Sequence, residues 1–83
     1  MDLNKGQLVR SKAGRDKTRT FAVLALDGQI ALLANGTSRP IAKPKRKKLQ
    51  HLAPTGCVLG GEALTDDQQL SEAIAAYDAT RPV

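Results

Sequence analysis

"TFAVLALDGQIALLANG", residues 20–36, decides the fold of this chain. Two apolar runs, Thr20–Leu26 and Gln29–Ala34, flank Asp27-Gly28, the strongest short-range signal for a β-hairpin. Phe21, Val23 and Leu26 favour extended structure in the first run. Successive side chains of a strand alternate between faces, so Phe21, Val23 and Ala25 fall on one side and Ala22, Leu24 and Leu26 on the other. Both sides are apolar. One can fill the inside of a small barrel, and the other needs a cover from elsewhere in the chain.

Upstream, "QLVRS" (Gln7–Ser11) is a short β-compatible run, followed by "KAGRDKT", a polar turn region containing glycine. Downstream, Asn35-Gly36 reads as a second hairpin turn leading into "TSRPIAK" (Thr37–Lys43) as a fourth strand. Pro40 lacks a backbone donor and marks that strand as an edge or its end. Short strands with turns about every eight residues point to a small barrel or sandwich. The expected cover is "TDDQQLSEAIAAYDA" (Thr65–Ala79). Thr65 and Gln68 form a capping-box pair, and Asp66 and Asp67 suit the positive end of a helix dipole. Leu70, Ile74 and Tyr77, with Ala73 beside them, recur at helical spacing. A helix is expected over Asp66–Ala79, with Pro82 closing the chain and the apolar stripe packed on the outer face of strands two and three. The expected organisation is mainly β: a barrel with basic loops over residues 1–53, a connector over 54–64 carrying Pro54 and Gly60-Gly61, and an acidic amphipathic helix over 65–83.

With 83 residues the chain allows one domain. A chain of this size buries roughly 60–65% of its unfolded surface, which suits a compact barrel better than an enzyme with a deep pocket. Hydrophobic content of 41% argues against wholesale disorder. Charge is unevenly spread. Residues 1–52 carry twelve Lys or Arg against three acids, a balance of +9, whereas residues 53–83 carry one Arg against five acids, a balance of −4. A basic body with an acidic tail segment points to a polyanionic partner. Cys57 is the only cysteine, so neither an internal disulfide nor a zinc cluster can form within the chain. The longest apolar run, "FAVLAL", is far short of a membrane span. "MDLNKGQL" lacks the apolar core of a signal peptide. A cytoplasmic protein with no cofactor, no metal and no membrane contact, monomeric when free, is expected.

The densest charge lies in "IAKPKRKKLQHL" (Ile41–Leu52), with five basic residues in the six positions from Lys43 to Lys48. Pro44 restricts Lys43 to extended geometry. In a helix these charges would stack three and four residues apart, which is unfavourable. Ile41, Leu49 and Leu52 flank the block, unlike the polar surroundings of a free arm or an address tag. A loop tied down at both ends by barrel residues, holding cations at fixed spacing, is the expected structure.

No catalytic constellation stands out. His51 has no partner motif, and Cys57 lacks a histidine–acid arrangement. "TDD" is accounted for by helix capping, and "LGGEA" has the glycines of a phosphate loop without its lysine. No enzyme is expected. Single-strand binders stack bases on exposed aromatics, but here Phe21 lies in the best strand and Tyr77 on the helix stripe, both as packing residues. A nucleic acid, RNA or DNA alike as far as charge goes, would then be met through backbone and shape and not through base stacking.

The stretch "GQLVRSKAGRDKTRTFAVLALDGQIALLANG", with its "SKAGRDK" and "ANG" turns and the "KPKRKKLQHL" block, covers about residues 6–52. It resembles the KOW motif of SH3-like barrels in ribosomal and transcription-elongation proteins. It is most similar to small bacterial KOW-domain RNA-binding proteins, which are akin to single-KOW large-subunit ribosomal proteins. Gly14 and Lys17 fit a generic KOW motif, which places glycines where this chain has Thr18 and Phe21. The resemblance implies an SH3-like barrel contacting RNA, ribosomal RNA in the first instance, with a role on the ribosome or in translation. The implied RNA-binding residues are Arg10, Lys12, Gly14, Arg15, Lys17, Arg19, Arg39, Lys43, Lys45, Arg46, Lys47 and Lys48. The competing expectation is a protein-interaction adaptor whose barrel docks a protein while the basic patch meets an acidic partner.

Overall fold

Residues 3–15 and 17–80 are described by the computed structural model. The chain is mainly β. Five strands, β1 (Gln7–Ser11), β2 (Thr20–Asp27), β3 (Ile30–Ala34), β4 (Lys45–Lys48) and β5 (Leu52–Val58), form one antiparallel sheet in the order β4-β3-β2-β1-β5. One C-terminal helix, α1 (Asp67–Thr80), follows. The β2–β3 hairpin forms as the sequence indicates, one residue later than Asp27-Gly28. Asp27 pairs with Ile30, and Gly28 occupies the first loop position at φ 60°, the left-handed backbone that glycine takes without penalty.

A bulge at Leu24 corrects the expected facing of β2. Val23 pairs with Leu33, but Ala25 pairs with Leu32 and Leu26 with Ala31. Directly opposed residues share a face, so the extra residue swaps Ala25 and Leu26 between sides. Beyond the bulge both are exposed, Leu26 by 43%. Before it, alternation holds. Val9, Phe21, Val23, Ala31, Leu33 and Leu52 make an inner core with Leu3, and Leu49 packs against it. Leu8, Ala22 and Ala34 make an outer layer with Leu64, Leu70 and Ile74, against which Leu24, Ile41, Cys57, Leu59 and Tyr77 rest. The helix stripe therefore covers the second apolar face of the sheet. Phe21 and Tyr77 are both packing residues.

Strand order forces curvature. β4 and β5 are opposite edges, yet only Leu49–His51, one turn of 3-10 helix, lies between them. A flat five-stranded sheet would hold its edges about 19 Å apart. Four Cα–Cα steps reach at most about 15 Å. The sheet must curl around the inner core, but β4 and β5 do not pair, so the ladder stays open.

Two further expectations are corrected. Residues 37–43 form bends and turns, not a fourth strand. The Asn35 side chain captures the local donors: its Oδ1 accepts from the Thr37 and Arg39 amides at 3.0 and 2.9 Å, and the Arg39 carbonyl accepts from the Asn35 and Gly36 amides. Such Asx bonds compete with a strand ladder. The fourth strand is instead Lys45–Lys48, inside the block expected to be a loop. The stretch from residue 54 to 64 is not only a connector: β5 runs through Val58, with Pro54 tolerated because the strand is an edge, and a 3-10 turn covers Gly61–Leu64.

The helix begins one residue later than expected. Asp66, not Thr65, is the cap: its Oδ2 accepts from the Gln69 amide at 3.0 Å and its carbonyl from the Leu70 amide at 2.9 Å. Thr65 ends the preceding 3-10 turn at φ −111°, ψ −6°, and its hydroxyl donates back to the Glu62 carbonyl. The Gln68 side chain is left to bond Glu72 within the helix. Pro82, the expected stop, lies outside the described residues. Two polar ties hold α1 to the sheet side: Thr20 Oγ1 donates to Asp78 Oδ1 at 2.7 Å, and the Ile41 amide donates to Asp67 Oδ1 at 2.8 Å. Among the described residues, no helix is long and apolar enough to cross a membrane.

Candidate nucleic-acid interface

Strand alternation divides the basic block into two rows. Lys45 stands opposite Leu33 and Lys47 opposite Ala31, on the side of the inner core. Arg46 and Lys48 stand opposite Leu32 and Ile30 and point outward. Burial follows the division: Lys45 and Lys47 are half-buried, Arg46 and Lys48 exposed. Four consecutive cations form a strand because β3 supplies their ladder partners. Burial, and secondarily the charge of Lys47, holds the Lys45 ammonium below its ordinary value. Arg46 approaches Asp27 at 3.8 Å, but both side chains are mostly exposed, so the pair contributes little.

The β1–β2 loop, residues 12–19, carries the second group of cations. Gly14 lies at φ 79° and Thr18 at φ 74°. For glycine that conformation is ordinary; for a β-branched residue it is strained. Hydrogen bonds hold both halves of the loop. The Thr18 amide donates to the Ser11 carbonyl at 2.8 Å and the Ser11 amide to the Arg19 carbonyl at 3.0 Å. Arg10 Nη2 donates to the Thr18 carbonyl at 2.9 Å, and Lys47 Nζ donates to the Ala13 carbonyl at 2.7 Å. The Lys12 amide bonds the His51 carbonyl at 2.8 Å, which ties the loop to the turn after β4.

These contacts draw two basic segments, more than thirty residues apart in sequence, onto one surface. Lys12, Arg15, Lys17 and Arg19 are exposed on the loop, which meets Lys47 at Ala13, with Arg46 and Lys48 on the other side of β4. Arg39 and Lys43 are exposed on the β3–β4 loop, which is fastened to α1 through Ile41 and Asp67 and whose Thr37 and Ser38 line one cleft with Thr18 and Arg19 of the β1–β2 loop and Asp78 of α1. Arg10 is partly buried, with Nε enclosed and without a hydrogen-bond partner. Negative charge is concentrated on the helical cover, with Asp66, Asp67, Glu72 and Asp78, but not confined to it: Asp27 stands beside Arg46, and Asp78 lines a cleft with Arg19.

What sequence reasoning missed is the pair of acceptors, the Ala13 and Thr18 carbonyls. Backbone acceptors leave no side-chain signature. His51 and Cys57 are half-buried, and among the described residues no group of His, Cys, Asp and Glu could hold a metal ion. No protein-family model matches this sequence, and no curated protein is significantly similar to it.

Proposed function

We propose that this chain is an RNA-binding module of the KOW type that contacts structured RNA, ribosomal RNA in the first instance, and works in the cytoplasm on the ribosome or in translation. The observation that carries the proposal is the junction of Lys47 with the Ala13 carbonyl, which brings the cations of the β1–β2 loop up to the basic strand β4. Solubility alone does not call for such a union of like charges. Arginines bind a phosphate through two hydrogen bonds and lysines as point charges, and both types are present. Phe21 is fully buried and Tyr77, half-buried on α1, rests against the outer core, so neither offers a fully open platform for base stacking. Backbone and shape are what this surface can read.

Two features support the KOW resemblance. Thr18 keeps the left-handed backbone suited to glycine, at a place where a KOW motif carries glycine. The five-stranded order, with one 3-10 turn joining edge strands across a curled sheet, suits a small SH3-like barrel.

The test is co-sedimentation with ribosomal subunits across a salt series, with and without nuclease. Engagement of about six phosphates predicts an affinity loss on the order of a thousandfold between 50 and 200 mM salt. An association that survives nuclease and ignores salt would identify a protein partner and overturn the RNA reading.

A further inference from the structure

The eleven basic residues expected to face RNA are not equivalent. We infer that Arg10 and Lys47 are positioning residues: they hold the β1–β2 loop at Thr18 and Ala13, so that Lys12, Arg15, Lys17 and Arg19 meet a folded RNA in one preset arrangement. The inference rests on the RNA-binding reading for its partner, but not for its geometry.

The loop carries four cations against Asp16, a balance of +3, and charged segments left to themselves extend. Here the loop is held at two points by the same kind of bond. Lys47 Nζ, from β4, reaches the Ala13 carbonyl at 2.7 Å. Arg10 Nη2, from β1, reaches the Thr18 carbonyl at 2.9 Å. Both donors are charged, and charge-assisted hydrogen bonds are roughly twice as strong as neutral ones. The Arg10 Nε is enclosed without a partner while Nη2 reaches the Thr18 carbonyl at the exposed end of the side chain, so the guanidinium is anchored at its base and braces the loop from its edge. Lys47 is likewise half-buried, on the inner side of β4, where its ammonium nearly touches Gly14: a Cβ there would lie 3.7 Å from Nζ. Thr18 requires such a hold because its φ of 74° is one that threonine leaves when free to do so.

A loop ordered before binding has less freedom to lose on meeting its partner. The braces therefore raise affinity without adding a phosphate contact, which separates them from their neighbours in a measurable way. Lys17→Met and Lys48→Met, at exposed positions, should each lower the slope of log affinity against log salt by about one for a long-stem RNA hairpin. Lys47→Met and Arg10→Met, which keep much of the side-chain stem, should weaken binding roughly tenfold while leaving the slope unchanged.

Amide hydrogen exchange in the free protein gives the decisive reading. The Thr18 amide, bonded to the Ser11 carbonyl, should exchange roughly tenfold faster in Lys47→Met and Arg10→Met, remain protected in Lys48→Met, and regain protection in Lys47→Arg, which restores a charged donor. If Arg10→Met fails to fold, Lys47→Met with its arginine rescue decides alone. Unchanged Thr18 exchange in Lys47→Met overturns the brace whatever the RNA result. A slope that falls by about one in that variant makes Lys47 a phosphate contact and also overturns it. Absence of RNA binding by the unmodified protein would refute the functional proposal, while exchange would still judge the brace.

Discussion

Gly36→Ala should be among the most damaging single-methyl additions in this chain. Gly36 lies at φ 81°, on the loop leaving β3, directly against the first turns of α1. A Cβ there would press into the Asp67 carbonyl oxygen and lie 2.9 Å from the Ser71 nitrogen, both backbone atoms that cannot rotate aside. Two costs combine. The left-handed backbone costs an L-residue about 1–2 kcal/mol, and forcing a methyl into a closed contact costs about 1–3 kcal/mol. Together they amount to roughly 2–5 kcal/mol, against a total stability of about 4–12 kcal/mol for a domain of this length. Relief is available only by lifting α1, which uncovers Leu8, Ala22 and Ala34 and withdraws Leu70. Gly28→Ala is the matched control: φ is 60°, but nothing lies within 4 Å of its Cβ, so only the first cost applies. Urea unfolding of both variants isolates the helix contact as their difference, expected at about 1–3 kcal/mol. At roughly 4–8 °C per kcal/mol, Gly36→Ala should melt at least about 8 °C below the parent. If it is no more destabilising than Gly28→Ala, the helix does not rest on this loop and the two-layer account of the sheet is wrong.

Thr18→Gly should stabilise the fold by about 1 kcal/mol in urea titrations, because it removes a β-branched residue from φ 74°; a loss of stability would mean that the threonine side chain holds the loop. Asp66→Ala should cost about 1 kcal/mol through loss of the cap to Gln69, and Thr65→Ala distinctly less. The reverse order would restore the Thr65 capping box. Lys45 titrates below its ordinary 10.5 because of its burial and then Lys47, so near that range the unfolded chain binds more protons than the folded one. Stability should therefore rise with pH between the lowered value and 10.5, and Lys45→Met should flatten the rise in pH-dependent melting. A rise of equal size in the variant would assign it to another group.

The parts of the fold legible in the sequence were those whose signals are local. The apolar runs around Gly28 announced β2 and β3, and Leu70, Ile74 and Tyr77 announced the helix and the face that it covers. The strands that were not legible are those defined by their neighbours. "KRKK" has no apolar periodicity and becomes β4 because β3 offers a ladder, while "LAPTGCV" contains Pro and Gly and becomes β5 at an edge that tolerates both. Asn35-Gly36 misled because the Asn35 side chain closed a wider loop than a two-residue turn. At the candidate site the cations themselves were legible from composition. Their union was not, since it depends on a carbonyl at Ala13 meeting a side chain from residue 47.

The cationic β4 also bears on how the molecule treats its own copies. An open, curled sheet leaves an edge whose outer backbone groups have no strand beside them, and such an edge ordinarily invites a second molecule to add on. Here every side chain of the edge strand is Lys or Arg. Two copies aligned through β4 would set ammonium and guanidinium groups directly across from one another on both faces, an arrangement that strand pairing disfavours. The edge thus repels its like in solution, and counterions or a nucleic-acid backbone would have to neutralise it before two molecules could approach along that side.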